Sequence, residues 1–204
     1  MVRWTIIVAV FCVGCATQRK LPPDMVFNTT ALRNDSTWFG TARAIRLLPI
    51  GSPDSVRQFN IHIATDILFP GRDMPDSAFP YTATGCKGDC RQSQILSFYN
   101  IPLKRGKSSI GKIDKKRTIE NERTSYWLVG YSGGAYKRYL FKGRKPGWIR
   151  VTSYDKYSKV VEGRFAVRLD EDLSLTSRLI NEIKPVVKFS KGLFRVKLAD
   201  VKVE

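Results

Sequence analysis

Trp148-Ile149-Arg150-Val151-Thr152-Ser153-Tyr154 and Val161-Glu162-Gly163-Arg164-Phe165-Ala166-Val167-Arg168-Leu169, flanking the polar corner Asp155–Ser158, decide the fold class. In the second arm Val161, Gly163, Phe165, Val167 and Leu169 share one parity, while Glu162, Arg164 and Arg168 share the other. Side chains of a strand alternate between its two faces, so this pattern predicts a hairpin with one face on a core and one in water.

The same period of two recurs on either side. Downstream, Gly192 leads into Phe194, Val196 and Leu198 with Arg195 and Lys197 interleaved. Upstream, Tyr126–Tyr131 and Tyr136–Phe141 flank Ser132-Gly133-Gly134, the residues of a turn. Ile95–Tyr99 is a short aromatic strand, and Phe59, Ile61 and Ile63 alternate with Asn60 and His62. A helical pattern is confined to Leu173–Ile183, where Pro185 stops it. The expected fold is all-β, an antiparallel β-sandwich or β-barrel of short strands with little helix. Residues 26–204 make one such domain, and Pro70–Arg91 is a long loop within it.

The N-terminus has a different character. Met1-Val2-Arg3-Trp4 is a short basic start, and Thr5–Val13 is an apolar run without a charge. This is the layout of an export signal, and the run is far shorter than the ~20 apolar residues of a membrane span. Cys12-Val13-Gly14-Cys15 resembles the lipobox of bacterial lipoproteins, with Cys12 where leucine is usual. That resemblance implies removal of residues 1–14, diacylglycerol on the Cys15 thiol, and a tether over residues 15–25 extended by Pro22 and Pro23. The alternatives are an ordinary signal peptide or a buried N-terminal helix. Acyl chains add roughly 0.8 kcal/mol per buried methylene and hold a protein on a bilayer. The acidic residues of a surface-export tag do not follow Cys15, which points to the outer membrane and its periplasmic face.

Cys86 and Cys90 remain, in Gly85-Cys86-Lys87-Gly88-Asp89-Cys90. An exported compartment is oxidising and two glycines let the loop close, so a Cys86–Cys90 disulfide is expected. Zinc fits poorly, because it takes four ligands and His62 is the one histidine of the chain. A redox pair would more usually be a C-x-x-C after a strand.

Lys and Arg number 35 against 18 acids, a net charge of +17, which becomes 34 − 18 = +16 once Arg3 leaves with the signal. Such a surface attracts polyanions or simply stays solvated. The basic clusters are Lys104-Arg105 with Lys107, Lys115-Lys116-Arg117, Lys137-Arg138, and Lys142 with Arg144-Lys145. Arg105, Lys107, Lys115, Lys116 and Arg117 are the candidate contacts for an anion. In a cytosolic protein, aromatics interleaved with such clusters would suggest single-stranded nucleic acid. Behind an export signal, anionic lipid or acidic glycan is expected instead. Lysines also guard edge strands against pairing with other chains.

Trp38 with Phe39-Gly40-Thr41-Ala42, Gly147–Thr152 with Tyr154-Asp155, Val160–Phe165 and Gly192–Val196 together resemble the small β-rich lipoproteins of Bacteroidetes-type bacteria. The resemblance implies a β fold and a lipid anchor, and brings no activity.

Two strings suggest chemistry. Gly130-Tyr131-Ser132-Gly133-Gly134 matches the nucleophile elbow G-x-S-x-G, but His62 precedes Ser132, against that fold's order, and the same residues make a hairpin turn. Asp170-Glu171-Asp172 could meet a hard cation, but lacks EF-hand spacing and reads as a solvated turn. No cofactor and no catalytic set is expected. The sequence therefore predicts a non-enzymatic envelope lipoprotein that binds a ligand or partner protein. A carboxylate-based glycan hydrolase and a purely structural component are the alternatives.

Overall fold

The computed structural model describes residues 27–51, 56–65, 92–116, 122–130, 135–143, 146–175 and 185–203. Its strands are β1 (Thr29–Arg33), β2 (Ser36–Pro49), β3 (Gln58–Ala64), β4 (Gln92–Pro102), β5 (Gly106–Ser109), β6 (Ser125–Gly130), β7 (Ala135–Leu140), β8 (Gly147–Asp155), β9 (Val160–Glu171) and β10 (Val186–Val203). The one α-helical turn among them, α1, is Ile110–Asp114. All ten strands belong to one sheet, so the all-β class holds.

The expected hairpin is β8–β9, paired from Gly147↔Val167 to Asp155↔Val160. Asp155 closes its corner: one carboxyl oxygen accepts from the Tyr157 N–H at 2.9 Å and the other from the Ser158 hydroxyl at 2.6 Å. Val161, Phe165, Val167 and Leu169 are buried as their parity requires. Across β9–β10, Gly163 lies opposite Phe194 and Gly192 opposite Phe165. Each glycine makes room for the ring facing it, and a methyl group at either would collide with that ring.

Pairing then runs β10–β2–β3–β4–β6–β7–β9 and returns to β10, so the sheet closes into a ring. β8 and β5 hang from the free length of β9. All pairs are antiparallel except β10–β2. That exception has a local cause. β1 lies antiparallel to both β2 and β10, which makes those two parallel, and they pair directly where β1 gives out. At the fork the Asn28 side chain takes the place of a peptide unit: its amide donates to the Ala42 carbonyl at 2.9 Å and its oxygen accepts from the Ala42 N–H at 2.6 Å. β1 and β2 join through Asn34 and Asp35, both at positive φ (48° and 69°), the conformation a two-residue hairpin needs to match strand twist.

Large side chains fill the ring. Trp38, Phe59, Phe98, Tyr126, Tyr139, Phe165, Phe189 and Phe194 are all buried. Phe189 receives Trp38 and Tyr126 edge-on, with centroids at 5.0 and 5.1 Å. Among the described residues no helix is long and apolar enough to cross a membrane.

Candidate functional site

Residues that alternate with the core on β3, β4, β6 and β7 form a row on the outer face. The pairs His62↔Ser97, Ser97↔Ser125 and Trp127↔Arg138 set them side by side. His62 Nδ1 lies 2.9 Å from Ser97 Oγ, and the His62 ring meets Tyr99 edge-on at 5.3 Å. Trp127 Nε1 donates to Ser125 Oγ at 3.0 Å. The Arg138 guanidinium lies over the Trp127 indole, 5.0 Å from its centre, and its Nε donates to Asp172 Oδ2 at 2.8 Å.

Tyr99, Arg123, Ser125, Trp127, Arg138 and Leu140 line a cleft of about 260 Å³ in this face. Arg123 arrives from the chain just before β6. Its neighbour Thr124 is fixed by the buried Asp114 of α1, whose Oδ1 accepts from the Thr124 N–H at 3.0 Å and hydroxyl at 2.8 Å. Among the described residues Arg123 has neither a carboxylate nor a hydrogen-bond partner.

Burial shapes the titration of this face. It lowers the His62 pKa, keeping the imidazole neutral at physiological pH. It also raises the Tyr99 phenol, against a Ser97 hydrogen bond that lowers it and with help from the Glu122 charge. Asp172 feels burial upward, yet its bonds from Arg138 and Ser174 carry it below the ordinary carboxylate value.

A second polar group lies inside the ring, at the end where β3 leaves and β4 returns. Gln94 Oε1 accepts from Arg33 Nη1 at 2.7 Å, Tyr126 Oη at 2.8 Å and Trp38 Nε1 at 2.9 Å. Arg33 also donates to Tyr126 Oη at 2.9 Å. At the same end Lys137 Nζ meets Glu171 Oε1 at 2.9 Å, both nearly buried.

Several expectations change here. Lys137-Arg138 reads as a surface basic cluster, but successive strand residues face opposite ways: Lys137 points inward to Glu171 and Arg138 outward to Asp172. Asp170-Glu171-Asp172 is accordingly an ion-pairing strand end rather than a solvated turn. Among the described residues no group of three or more His, Cys, Asp or Glu is placed to hold a metal ion. Ser132 lies outside the described residues, but its segment joins the antiparallel pair β6 and β7, whereas a nucleophile elbow joins a strand to a helix. His62 is on the outer face as expected, though half-buried by Ser97 and Tyr99.

Of the anion candidates, Arg105, Lys107, Lys115 and Lys116 are exposed around β5 and α1. Lys107 Nζ sits 4.8 Å from the Trp148 ring centre on the edge strand, the placement expected of an edge guard. Arg117, Cys15, Cys86 and Cys90 lie outside the described residues. Sequence reasoning missed Arg123 and Tyr99. Their one available signal was parity: Ser125 and Trp127 oppose the core residues Tyr126 and Leu128, as Tyr99 opposes Phe98.

Comparison with family models, curated proteins and solved structures finds no match to this chain.

Proposed function

We propose that this chain is a lipid-anchored protein of the cell envelope that binds a small ligand on the outer face of its sheet and catalyses no reaction. The anchor rests on the basic start, the apolar run and the lipobox-like Cys12–Cys15. The binding role rests on one observation: a cleft of about 260 Å³ walled by Trp127 and Tyr99 with the unengaged guanidinium of Arg123 at its side. Aromatic walls with a few converging polar groups are the usual make-up of a ligand site. A hydrolase working through acids needs two available carboxylates across a cleft. Here Glu171, Asp172 and Asp200 are held by cations and Asp114 by Thr124, which supports binding over hydrolysis.

Two measurements test the proposal. Labelled palmitate is expected to enter the wild type and not Cys15→Ala; equal labelling would remove the anchor. Thermal unfolding with a panel of envelope sugars, sugar acids and headgroups is expected to find compounds that raise the midpoint of the wild type and not of Trp127→Leu. A panel without effect, or one acting equally on both proteins, would remove the cleft as a ligand site.

A further inference from the structure

The two arginines of the cleft are not equivalent. Arg138 is neutralised by Asp172 and lies against the indole, so it serves as part of the wall. Arg123 is half-buried and has no such partner among the described residues. A cation partly withdrawn from water gains most from an anion, and guanidinium offers a planar fork of donors that matches carboxylate or phosphate. Ser125 Oγ uses a lone pair on Trp127 Nε1, which leaves its O–H free to donate. At about 260 Å³ the cleft falls below the ~300–1,000 Å³ typical of drug-sized sites, room for a single ring. Glu122 is close enough to act on the Tyr99 phenol, so a second negative charge on the ligand would be repelled there.

We infer that the cleft selects one oxygen-bearing ring with a single anionic substituent, its anion on Arg123 and its ring against Trp127 and Tyr99. This rests on the binding role proposed above. The ring acid could belong to an acidic glycan or to the headgroup of an anionic lipid, which share this chemistry.

Calorimetric titration of the full chain with glucuronate, myo-inositol 1-phosphate, glucose and acetate tests it. At least one ring acid is expected to bind about tenfold or more tighter than glucose or acetate, and more weakly as salt rises. Preference for glucuronate indicates a glycan source and preference for the inositol phosphate a lipid source. Arg123→Gln, on a partly exposed side chain, is expected to bring the ring acid down to the level of glucose, and Arg123→Lys to retain part of the difference. Glucose binding as tightly as the acids, ring acids that fail to bind, or an unaltered preference in Arg123→Gln would overturn the inference. A neutral ligand whose stabilisation depends on Trp127 would leave the binding role standing while this inference fails.

Discussion

Arg46 and Asp200 face each other across the parallel junction of β2 and β10, joined by two hydrogen bonds: Nε to Oδ1 at 2.7 Å and Nη2 to Oδ2 at 3.0 Å. Lys159, from the β8–β9 corner, adds a third contact to Oδ2 at 2.7 Å. One carboxylate thus ties together the strands that close the ring and the hairpin beside them.

These bonds, the Arg46 hydrogen bond foremost, hold the Asp200 carboxyl at about 2, below its ordinary 3.8. A carboxyl whose pKa falls on folding contributes stability that is present above the unfolded value and lost as pH falls through the folded one. The contribution is therefore whole above 3.8 and fades toward about 2. Asp200→Asn should lose about 1–2 kcal/mol at neutral pH and show a shallower decline across that acid window. Urea unfolding at a series of pH values reads both; parallel pH curves for the two proteins would count against this role.

Gln94 is the single acceptor for Arg33, Trp38 and Tyr126 within the ring. Gln94→Leu keeps the bulk but strands those donors, at a cost of about 3 kcal/mol in denaturant unfolding. Gln94→Glu keeps the acceptor and should cost less. An equal loss in the two variants would mean that packing, not acceptance, is what matters at this position.

Lys137 and Glu171 form an ion pair at 5% and 10% side-chain exposure. Removing one partner leaves a charge in a dry place, so Lys137→Met alone should destabilise by about 3 kcal/mol. The double variant Lys137→Met with Glu171→Leu should regain most of that. A double-mutant cycle in urea supplies the comparison, and additive losses would show the two groups to be independent.

Gly163 is covered by the Phe194 ring and by the Arg150 carbonyl. Gly163→Ala should cost about 2 kcal/mol or more, since backbone cannot yield as a flexible side chain does. If the methyl acts through the ring, adding Phe194→Leu should recover part of the loss. Thermal unfolding of the single and double variants is the check.

Much of the fold was legible because alternation holds over whole strands. β9 reads correctly from Val161 to Leu169 on parity alone. β10 reads only from Gly192 onward, because its buried set changes parity: Val187 and Phe189 before the irregularity, Phe194, Val196 and Leu198 after it. Two residues, Ser190 and Lys191, stand there opposite one, a bulge that rotates the strand. The β1–β2 hairpin was missed because Asn34-Asp35 lacks the glycine that usually marks a two-residue turn. Ring closure was out of reach, since it depends on β1 separating β2 from β10. The cleft was half legible. Arg138 stood out as a charge, but pairing it with Lys137 ignored strand geometry, and Arg123 matters through an Asp114–Thr124 contact that no local pattern announces.

The position of β1 has a mechanical consequence. It is held on both flanks, by β2 and by β10, and its first residue lies next to the point where Asn28 bridges to Ala42. Ladder hydrogen bonds run perpendicular to the strands. A pull on the chain ahead of residue 27 is directed along β1 and loads both ladders in shear, so their bonds resist together rather than parting one after another. The strand nearest the amino terminus is thus mounted like a bolt between two plates, suited to bear tension delivered from that side.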